Sequence, residues 1–529
     1  MRVLVTETLA TVGLTHLQQH AEVDVRIGLE HDELCAIINN YDGLVVRSAT
    51  SVNEALLCSA TALRVIGRAG TGVDNIDVEA ATERGIMVVN APTGNSNAVA
   101  EHTITMVLAL ARHLYPAVAS LKQGRWAKRT LQGIEVKGRA LGIIGLGHVG
   151  SMVAEKAKGL EMEVLGFDPY LSPTKAASMG VMLCELEELL RRADFVSVHT
   201  PLTAQTHGLI NAARLALLKP TAYVINCARG GIIDEAALKE ALQTHRIAGA
   251  ALDVFESEPT VDADLVGLPN VIATPHVGAS TEEAQDQVAL DVARGVIDAL
   301  EGRIPASPVN VPYVAPQAAE FLRPYIDLAS RLGTLFVQWR GELGDRLELS
   351  YEGEICDYDV RILTAAFLAG LLAPISAEAV NVVNARKMAE RFGLVVSETS
   401  LGRRGRFDSL IAGSLPGSGE AMDIAGTVAQ GVPHIVSLDS QPLSIEAHGH
   451  MLIDLHVDQP GIVGAMGQLL GSQGINISFA QLSREKRGGM SLMALGLDED
   501  APRSIVPAIL SIPNIKRVRI ISLPPLAQR

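Results

Sequence analysis

A chain of 529 residues with 48% hydrophobic and 19% charged side chains is globular in composition, and its length suits about three or four domains. Its formal net charge of −15 excludes a broadly basic nucleic-acid surface, so an anionic ligand must be drawn in by a local group of Arg and Lys. The five cysteines, Cys35, Cys58, Cys184, Cys227 and Cys356, form no Cys-x-x-Cys pair; they give neither a zinc nor a disulfide framework and fit a reducing compartment.

The N-terminus, Met-Arg-Val-Leu-Val-Thr-Glu, carries a carboxylate too early for a signal-peptide core, and a cytoplasmic location is expected. Short apolar runs at 2–6, 43–46, 65–67 and 87–90 predict buried parallel strands separated by helical segments, a doubly wound α/β pattern. A long helix is predicted over 96–121, followed by a basic patch at 122–129. A second α/β series has strands predicted at 141–144, 163–167, 195–199, 222–226, 249–252 and 271–273. A helix over 282–300 is expected to return to the first domain, and Pro305, Pro308 and Pro312 mark a linker.

Beyond the linker, residues 316–440 mix helical stretches with Gly-rich alternating segments and carry no catalytic motif. The uncharged stretch 362–377 is shorter than a membrane span and contains Pro374, so a buried helix is expected and no membrane partner. From residue 452 the order reads strand, the turn Asp458-Gln459-Pro460-Gly461, a helix with Ile462, Met466, Leu469 and Leu470, then two strands about the turn 486–489. A last helix and strand complete a ferredoxin-like βαββαβ arrangement.

The sequence Gly145-Leu146-Gly147-His148-Val149-Gly150 follows the predicted strand 141–144 and opens a helix. Its first glycine permits a tight turn, its second lets the backbone approach a pyrophosphate, and its third allows close helix–strand packing. The helix N-terminus attracts the phosphate charge. Glycines in a βα turn are often only structural, but here the next strand ends at Asp168. A carboxylate there accepts the ribose hydroxyls and repels the extra phosphate of NADP, so NAD is the expected cofactor.

Hydride transfer from a hydroxyl further needs a base, a cation for the substrate's carboxylate, and a group that tunes the base. Arg229 follows strand 222–226, Glu258 lies in Asp253-Val-Phe-Glu-Ser-Glu-Pro259, and His276 follows strand 271–273. An Arg can pair with a carboxylate through two N–H groups, and a Glu beside a His favours and orients its protonated form. Taken singly, each reads equally well as an ordinary loop residue.

Together these segments resemble the D-2-hydroxyacid dehydrogenase family. The resemblance implies that Arg229 binds substrate, Glu258 orients the base and His276 transfers the proton. It also implies cofactor contacts at Thr71, Asp168, Thr200, Cys227, Asp253, His276, Gly278 and Ala279, besides Gly145, Gly147, His148, Val149 and Gly150 of the loop. No metal is expected. Many relatives have Arg where this chain has His148, whose side chain is shorter, so weaker cofactor binding is expected.

Val45-Val-Arg-Ser-Ala-Thr50, Gly67-Arg-Ala-Gly-Thr-Gly-Val-Asp-Asn-Ile-Asp77 and Asn90-Ala-Pro-Thr-Gly-Asn-Ser96 resemble the phosphoglycerate dehydrogenase branch of that family. The likeness implies a 3-phosphoglycerate substrate held by Arg47 and Arg68, oxidised at C2 to 3-phosphohydroxypyruvate in the first step of the phosphorylated route to L-serine. Lys128 and Arg129 either reach the phosphate from a partner subunit or form a solvated basic patch. Asp458-Gln-Pro-Gly-Ile462 and Gly474-Ile-Asn-Ile477 resemble an ACT domain, which in long-form members responds to L-serine across a subunit interface. By that resemblance Asp458 and Asn476 contact the effector, and the chain is a homodimer or homotetramer. His456 replaces an aromatic found in some relatives, which bears on the strength of serine control; an assembly module that no longer senses serine stays open.

The expected layout has a substrate-binding domain at 1–95 and 284–310 and an NAD-binding Rossmann domain at 96–283. An α+β intervening domain follows at 316–445, and a ferredoxin-like ACT domain at 450–529. Two other functions fit the cofactor loop. A glyoxylate or hydroxypyruvate reductase would lack the phosphate-binding cations and usually the C-terminal module. A dinucleotide-sensing interaction protein would not need Arg229, Glu258 and His276 together.

Overall fold

The computed structural model describes residues 1–402, 405–415, 422–484 and 486–526. The chain divides into two compact units, one of Met1–Thr8, His16–Asn90 and Val292–Arg529, the other of Leu9–Thr15 and Ala91–Asp291. The helix Glu282–Leu300 therefore contributes its first turns to one unit and its last to the other.

The first unit begins with a parallel sheet of β1 (Arg2–Val5), β2 (Glu22–Val25), β3 (Gly43–Val46), β4 (Val65–Arg68) and β5 (Met87–Asn90), in the order β2-β1-β3-β4-β5. Strands β3 and β4 are buried almost throughout, as expected for a sheet covered on both faces. The sequence reading missed β2, because Glu-Val-Asp-Val is a half-solvated edge with no apolar run. A Cβ on Gly67 would lie 2.5 Å from Val296 and 2.7 Å from Val292, so this glycine lets the end of the helix Glu282–Leu300 lie directly on the sheet. The linker closes the other edge: Val309 N–H donates to Val88 O at 2.8 Å, and Val88 N–H to Asn310 Oδ1 at 2.9 Å.

The second unit holds β6 (Ala140–Ile144), β7 (Glu163–Phe167), β8 (Met182–Leu183), β9 (Phe195–Val198), β10 (Tyr223–Asn226), β11 (Gly249–Leu252) and β12 (Val271–Ala273). Their order, β12-β11-β10-β9-β6-β7-β8, is a parallel doubly wound sheet whose direction of winding reverses between β6 and β9. Such a switch point opens a crevice at the carboxyl ends of the strands. The long helix predicted over 96–121 is two helices, Ser96–Ala111 and Leu114–Lys122, bent by 67°. Pro116 is the reason: it has no N–H for the carbonyl of Arg112, so the first helix ends there and His113 turns left-handed at φ 48°.

Within the first unit, the helix Pro316–Arg340 leads into a sheet of β13 (Arg346–Gly353), β14 (Val395–Ser400), β15 (Ser409–Leu415), β16 (Met422–Ala429), β17 (Val432–Leu438) and β18 (Gln441–Glu446). Only the β13–β14 pair is parallel in the order β14-β13-β15-β16-β17-β18. The apolar helix Arg361–Leu372 crosses Pro316–Arg340 closely, since a Cβ on Gly370 would lie 1.9 Å from Ser330 O. Strands β19 (Gly449–Val457), β20 (Ile477–Arg484), β21 (Met490–Leu497) and β22 (Ile515–Leu523) form an antiparallel sheet, β20-β21-β19-β22. One face carries Leu452, Met493 and Leu495 against Met466 and Leu470 of the helix Ile462–Ser472; the other, with Met451, Ile453 and Ile521, joins the core around Trp339 and Phe367. Both faces are thus covered along β19 and β21, while Ala480 and Leu482 of the edge strand β20 stay exposed.

Among the described residues no single helix is long and apolar enough to cross a membrane, although the bent pair at 96–122 passes that test by length and composition. No group of His, Cys, Asp and Glu among them could hold a metal ion.

Candidate active site

The loop Gly145–Gly150 leaves β6 and starts the helix His148–Gly159. Gly145 adopts φ +91°, and a Cβ on it would lie 2.6 Å from His199 O. A Cβ on Gly150 would lie 2.0 Å from Gly145 O, so the fold itself demands both glycines. Among the described residues nothing lies within 4 Å of where a Cβ on Gly147 would stand, which leaves room for a ligand at the backbone. His148 is exposed and Val149 half-buried at the helix start.

Asp168, just past β7, accepts from Leu146 N–H at 2.8 Å through Oδ2 and from Tyr170 N–H at 2.9 Å through Oδ1. The carboxylate is thereby tied to the glycine loop. Past β9, across the switch point, Thr200 Oγ1 is buried with no hydrogen-bond partner among the described residues. A buried hydroxyl without a partner is costly unless a ligand or water completes it. The bare Gly147 backbone, the Thr200 hydroxyl and the Asp168 carboxylate all fit a dinucleotide.

The next strands carry the rest. Cys227 follows β10 and is buried, which pushes its thiol up to about 12, so the thiol is held neutral. Asn226, the last residue of β10, accepts from Ala228 N–H at 3.0 Å and donates to Arg229 O at 2.9 Å, an Asx turn that sets the backbone of Arg229. Arg229 Nη1 itself donates to Ala228 O at 2.7 Å.

Asp253 follows β11 and is 1% exposed. It accepts from Val277 N–H at 2.8 Å, Gly278 N–H at 2.8 Å and the Thr274 hydroxyl at 2.6 Å, with His102 Nε2 at 3.5 Å. Burial opposes its charge, but His102, Thr274 and the two N–H groups outweigh burial and hold the carboxyl below its ordinary range. The turn thus fixed, residues 276–279 including Gly278 and Ala279, begins with His276 at φ 54°. His276 Nδ1 lies 2.8 Å from Glu258 Oε2, and Glu258 Oε1 accepts from Phe255 N–H at 3.0 Å. The carboxylate is anchored by backbone and oriented toward the ring, while His276 remains half-exposed.

Sequence reasoning missed His102 and Thr274, which hold Asp253 in place. A single His within the helix Ser96–Ala111 carries no signature; only the three-dimensional neighbourhood reveals it. It also missed Asn226, whose place at a strand end before a turn was a usable signal.

In the first unit, Arg68 ends β4 opposite Val46, the last residue of β3, and Arg47 directly follows Val46, so both arginines stand at the carboxyl edge of the five-stranded sheet. Thr71 lies three residues past Arg68, and its carbonyl accepts from Asn90 Nδ2 at 2.6 Å. In the C-terminal sheet, Asp458 accepts from Arg484 Nη1 at 2.8 Å and Gly488 N–H at 3.1 Å, which hold its carboxyl below the ordinary range. Asn476 Nδ2 donates to Asp498 at 2.6 Å. His456 is buried at 2% exposure, with Nδ1 2.7 Å from Asp454 Oδ1, so it faces the module's core.

Comparison with known proteins bears on the whole chain. Residues 104–278 match the family model of the D-isomer specific 2-hydroxyacid dehydrogenase NAD binding domain. Residues 321–439 match the D-3-phosphoglycerate dehydrogenase intervening domain and 450–514 the ACT domain. The D-3-phosphoglycerate dehydrogenase of Synechocystis sp. is 43% identical over 524 residues, covering 99% of this chain and 95% of its own. That of Methanocaldococcus jannaschii is 42% identical, covering 99% and 100%. The chain belongs to the D-3-phosphoglycerate dehydrogenase family. As a member it carries the family's NAD-binding domain, intervening domain and ACT domain, and it is an NAD-dependent dehydrogenase. Among solved structures, a Thermus thermophilus protein is 37% identical with a TM-score of 0.55, covering 58% of this chain and 100% of its own. A glyoxylate reductase from Paecilomyes thermophila is 28% identical with a TM-score of 0.55, covering 58% and 98%.

Proposed function

We propose that this dehydrogenase oxidises the C2 hydroxyl of D-3-phosphoglycerate to 3-phosphohydroxypyruvate, the first step of the phosphorylated route to L-serine. The observation that carries the chemistry is the Glu258–His276 pair, 2.8 Å apart, with His276 on the turn that Asp253 holds. NAD, when bound, supplies the hydride acceptor. Gly147, Thr200, Asp168 and Cys227 line its place at the switch point, with Thr71, His148, Val149, Asp253, Gly278 and Ala279 as further contacts. His276 takes the hydroxyl proton at Nε2, because Glu258 occupies Nδ1 and stabilises the imidazolium as it forms. Arg229 pairs with the substrate carboxylate, and Arg47 and Arg68 supply the positive charge that a phosphorylated substrate needs.

The ACT domain supports control by L-serine, with Asp458 and Asn476 as effector contacts. Their present partners, Arg484, Gly488 and Asp498, would then exchange for those of the ligand. A homodimer or homotetramer is supported by the helix Leu114–Lys122, which exposes Leu114, Tyr115, Val118 and Leu121, with Trp126 beyond it at 82%. A row of large apolar side chains in water marks an interface.

The deciding assay measures NADH formation from 3-phosphoglycerate, D-lactate and D-glycerate, each with and without L-serine. Turnover of 3-phosphoglycerate well above the others is expected, inhibited by serine. Absence of phosphoglycerate turnover overturns the substrate, preference for D-glycerate favours a hydroxypyruvate reductase, and indifference to serine removes only the regulatory part.

A further inference from the structure

The turn that carries Arg47 is held from two sides. Below it, Glu7, just past β1, accepts from Arg47 N–H at 2.8 Å and Thr50 N–H at 2.9 Å through Oε1, and from Ala49 N–H at 3.2 Å through Oε2. Above it, Asn75 Nδ2 donates to Arg47 O at 2.7 Å and Thr50 O at 2.6 Å. The Thr6 and Thr50 hydroxyls are 2.9 Å apart, and Arg47 Nη1 donates to Thr8 O at 3.2 Å.

Asn75 belongs to the loop that follows Arg68. The two arginine-bearing loops are also joined by backbone, Val52 N–H to Asn75 O and Asp77 N–H to Val52 O, both at 2.8 Å. Surface loops of this kind usually leave their N–H and C=O groups to water. Here two side chains from outside the turn satisfy both kinds of group. Partial burial works against the charge of Glu7, yet the N–H groups of Thr50, Arg47 and Ala49 outweigh it and hold the carboxyl below its ordinary range.

We infer that Glu7 and Asn75 are positioning residues for the substrate: they lock the turn 47–50 so that Arg47 stands at a fixed place beside Arg68 before the anion arrives. A turn ordered in advance spares the entropy of ordering it on binding, and a guanidinium must be held closely to make paired hydrogen bonds. The inference rests on the reading of Arg47 as a substrate contact.

The test uses the full-length enzyme and the variants Glu7→Gln, Asn75→Ala, Arg47→Ala and Glu7→Gln/Arg47→Ala. A Gln keeps the size of Glu7 but has one oxygen in place of two, so it cannot accept from all three amides. The KM for 3-phosphoglycerate is expected to rise about ten-fold in Glu7→Gln and Asn75→Ala, with kcat and the KM for NAD within about two-fold of wild type. The double variant should be no worse than Arg47→Ala alone. An undiminished penalty for Glu7→Gln in the Arg47→Ala background overturns the inference. Amide hydrogen exchange at Arg47, Ala49 and Thr50 gives a readout independent of the substrate. It should speed up about ten-fold in Glu7→Gln while Val3–Val5 stay unchanged; unchanged exchange at the turn also overturns the inference. If the wild type does not turn over 3-phosphoglycerate, the substrate assignment fails and the exchange result alone decides whether Glu7 holds the turn.

Discussion

Asp253, past the end of β11, and Asp454, in the middle of β19, are equally buried, and their surroundings differ completely. Asp253 is met by the N–H groups of Val277 and Gly278, the Thr274 hydroxyl and His102. Asp454 is met by His456, and its Oδ2 has no hydrogen-bond partner among the described residues. The shifts run in opposite directions: the donors around Asp253 hold its carboxyl down against burial, whereas burial pushes that of Asp454 up despite His456. Chain topology accounts for this. At a strand end the backbone turns away from the ladder, and its N–H groups are available to a side chain. In mid-strand, between β21 and β22, the backbone donors near Asp454 are committed to the sheet, and only another side chain can help. Carboxylates at strand ends can be kept charged inside a protein, and that is where the site assembles its chemistry.

His276→Asn, on the turn that Asp253 fixes, should cut kcat by about 10³-fold, the scale of a lost general base. Because His276 is half-exposed, the melting temperature should hold; a variant that retained full activity would show the base to be misassigned. Asp253→Asn leaves at least one of the two N–H groups without a good acceptor, so about 2 kcal/mol of stability should go. Denaturant titration checks the stability, and a raised KM for NAD checks the site. Asp454→Asn should move stability by no more than about 1 kcal/mol in either direction, since a neutral amide replaces a poorly compensated charge; a loss as large as that at Asp253 would break the comparison.

The pH dependence sharpens it further. The depressed Asp253 contributes stability that is present above the ordinary carboxyl range near 3.8 and is lost as pH falls through its folded value. The raised Asp454 contributes in the opposite sense: its share is present below 3.8 and is lost as pH rises through its folded value. Melting curves of Asp454→Asn against wild type should therefore diverge in the variant's favour as pH rises from 4 towards neutrality. The smallest effect on turnover is expected at Asp458. Asp458→Ala should leave kcat within about two-fold while removing serine inhibition, and an unchanged response to serine would show that the effector does not use this carboxylate.

Much of the dehydrogenase half was legible because parallel strands buried on both faces read as unbroken apolar runs. The strands β6, β9, β10 and β11 stand within a residue of where the sequence put them. The cofactor loop was legible for a related reason, since its glycines answer to steric demands that leave a spacing in the sequence. The strand β2 was not, being a polar edge, and neither was the break at Pro116, where the apolar pattern of a helix continues across a residue that cannot bond back. The six-stranded sheet β13–β18 was hidden by alternation that covers one face only and by intervening helices as apolar as β-sheet cores. Arg229, Glu258 and His276 could be named through their family resemblance, whereas His102 and Thr274 become visible only once folding brings them to Asp253.

The three loop glycines also carry unequal information about descent. Gly145 and Gly150 would be retained by any protein that kept this strand-to-helix turn, whether or not it ever met a nucleotide, because a methyl group there collides with the chain's own carbonyls. Gly147 meets no such constraint among the described residues, and a methyl group at that position would touch none of them. Among proteins of this architecture, a side chain appearing at that one position is therefore the earliest mark to look for in a lineage that has given up its coenzyme while keeping its shape.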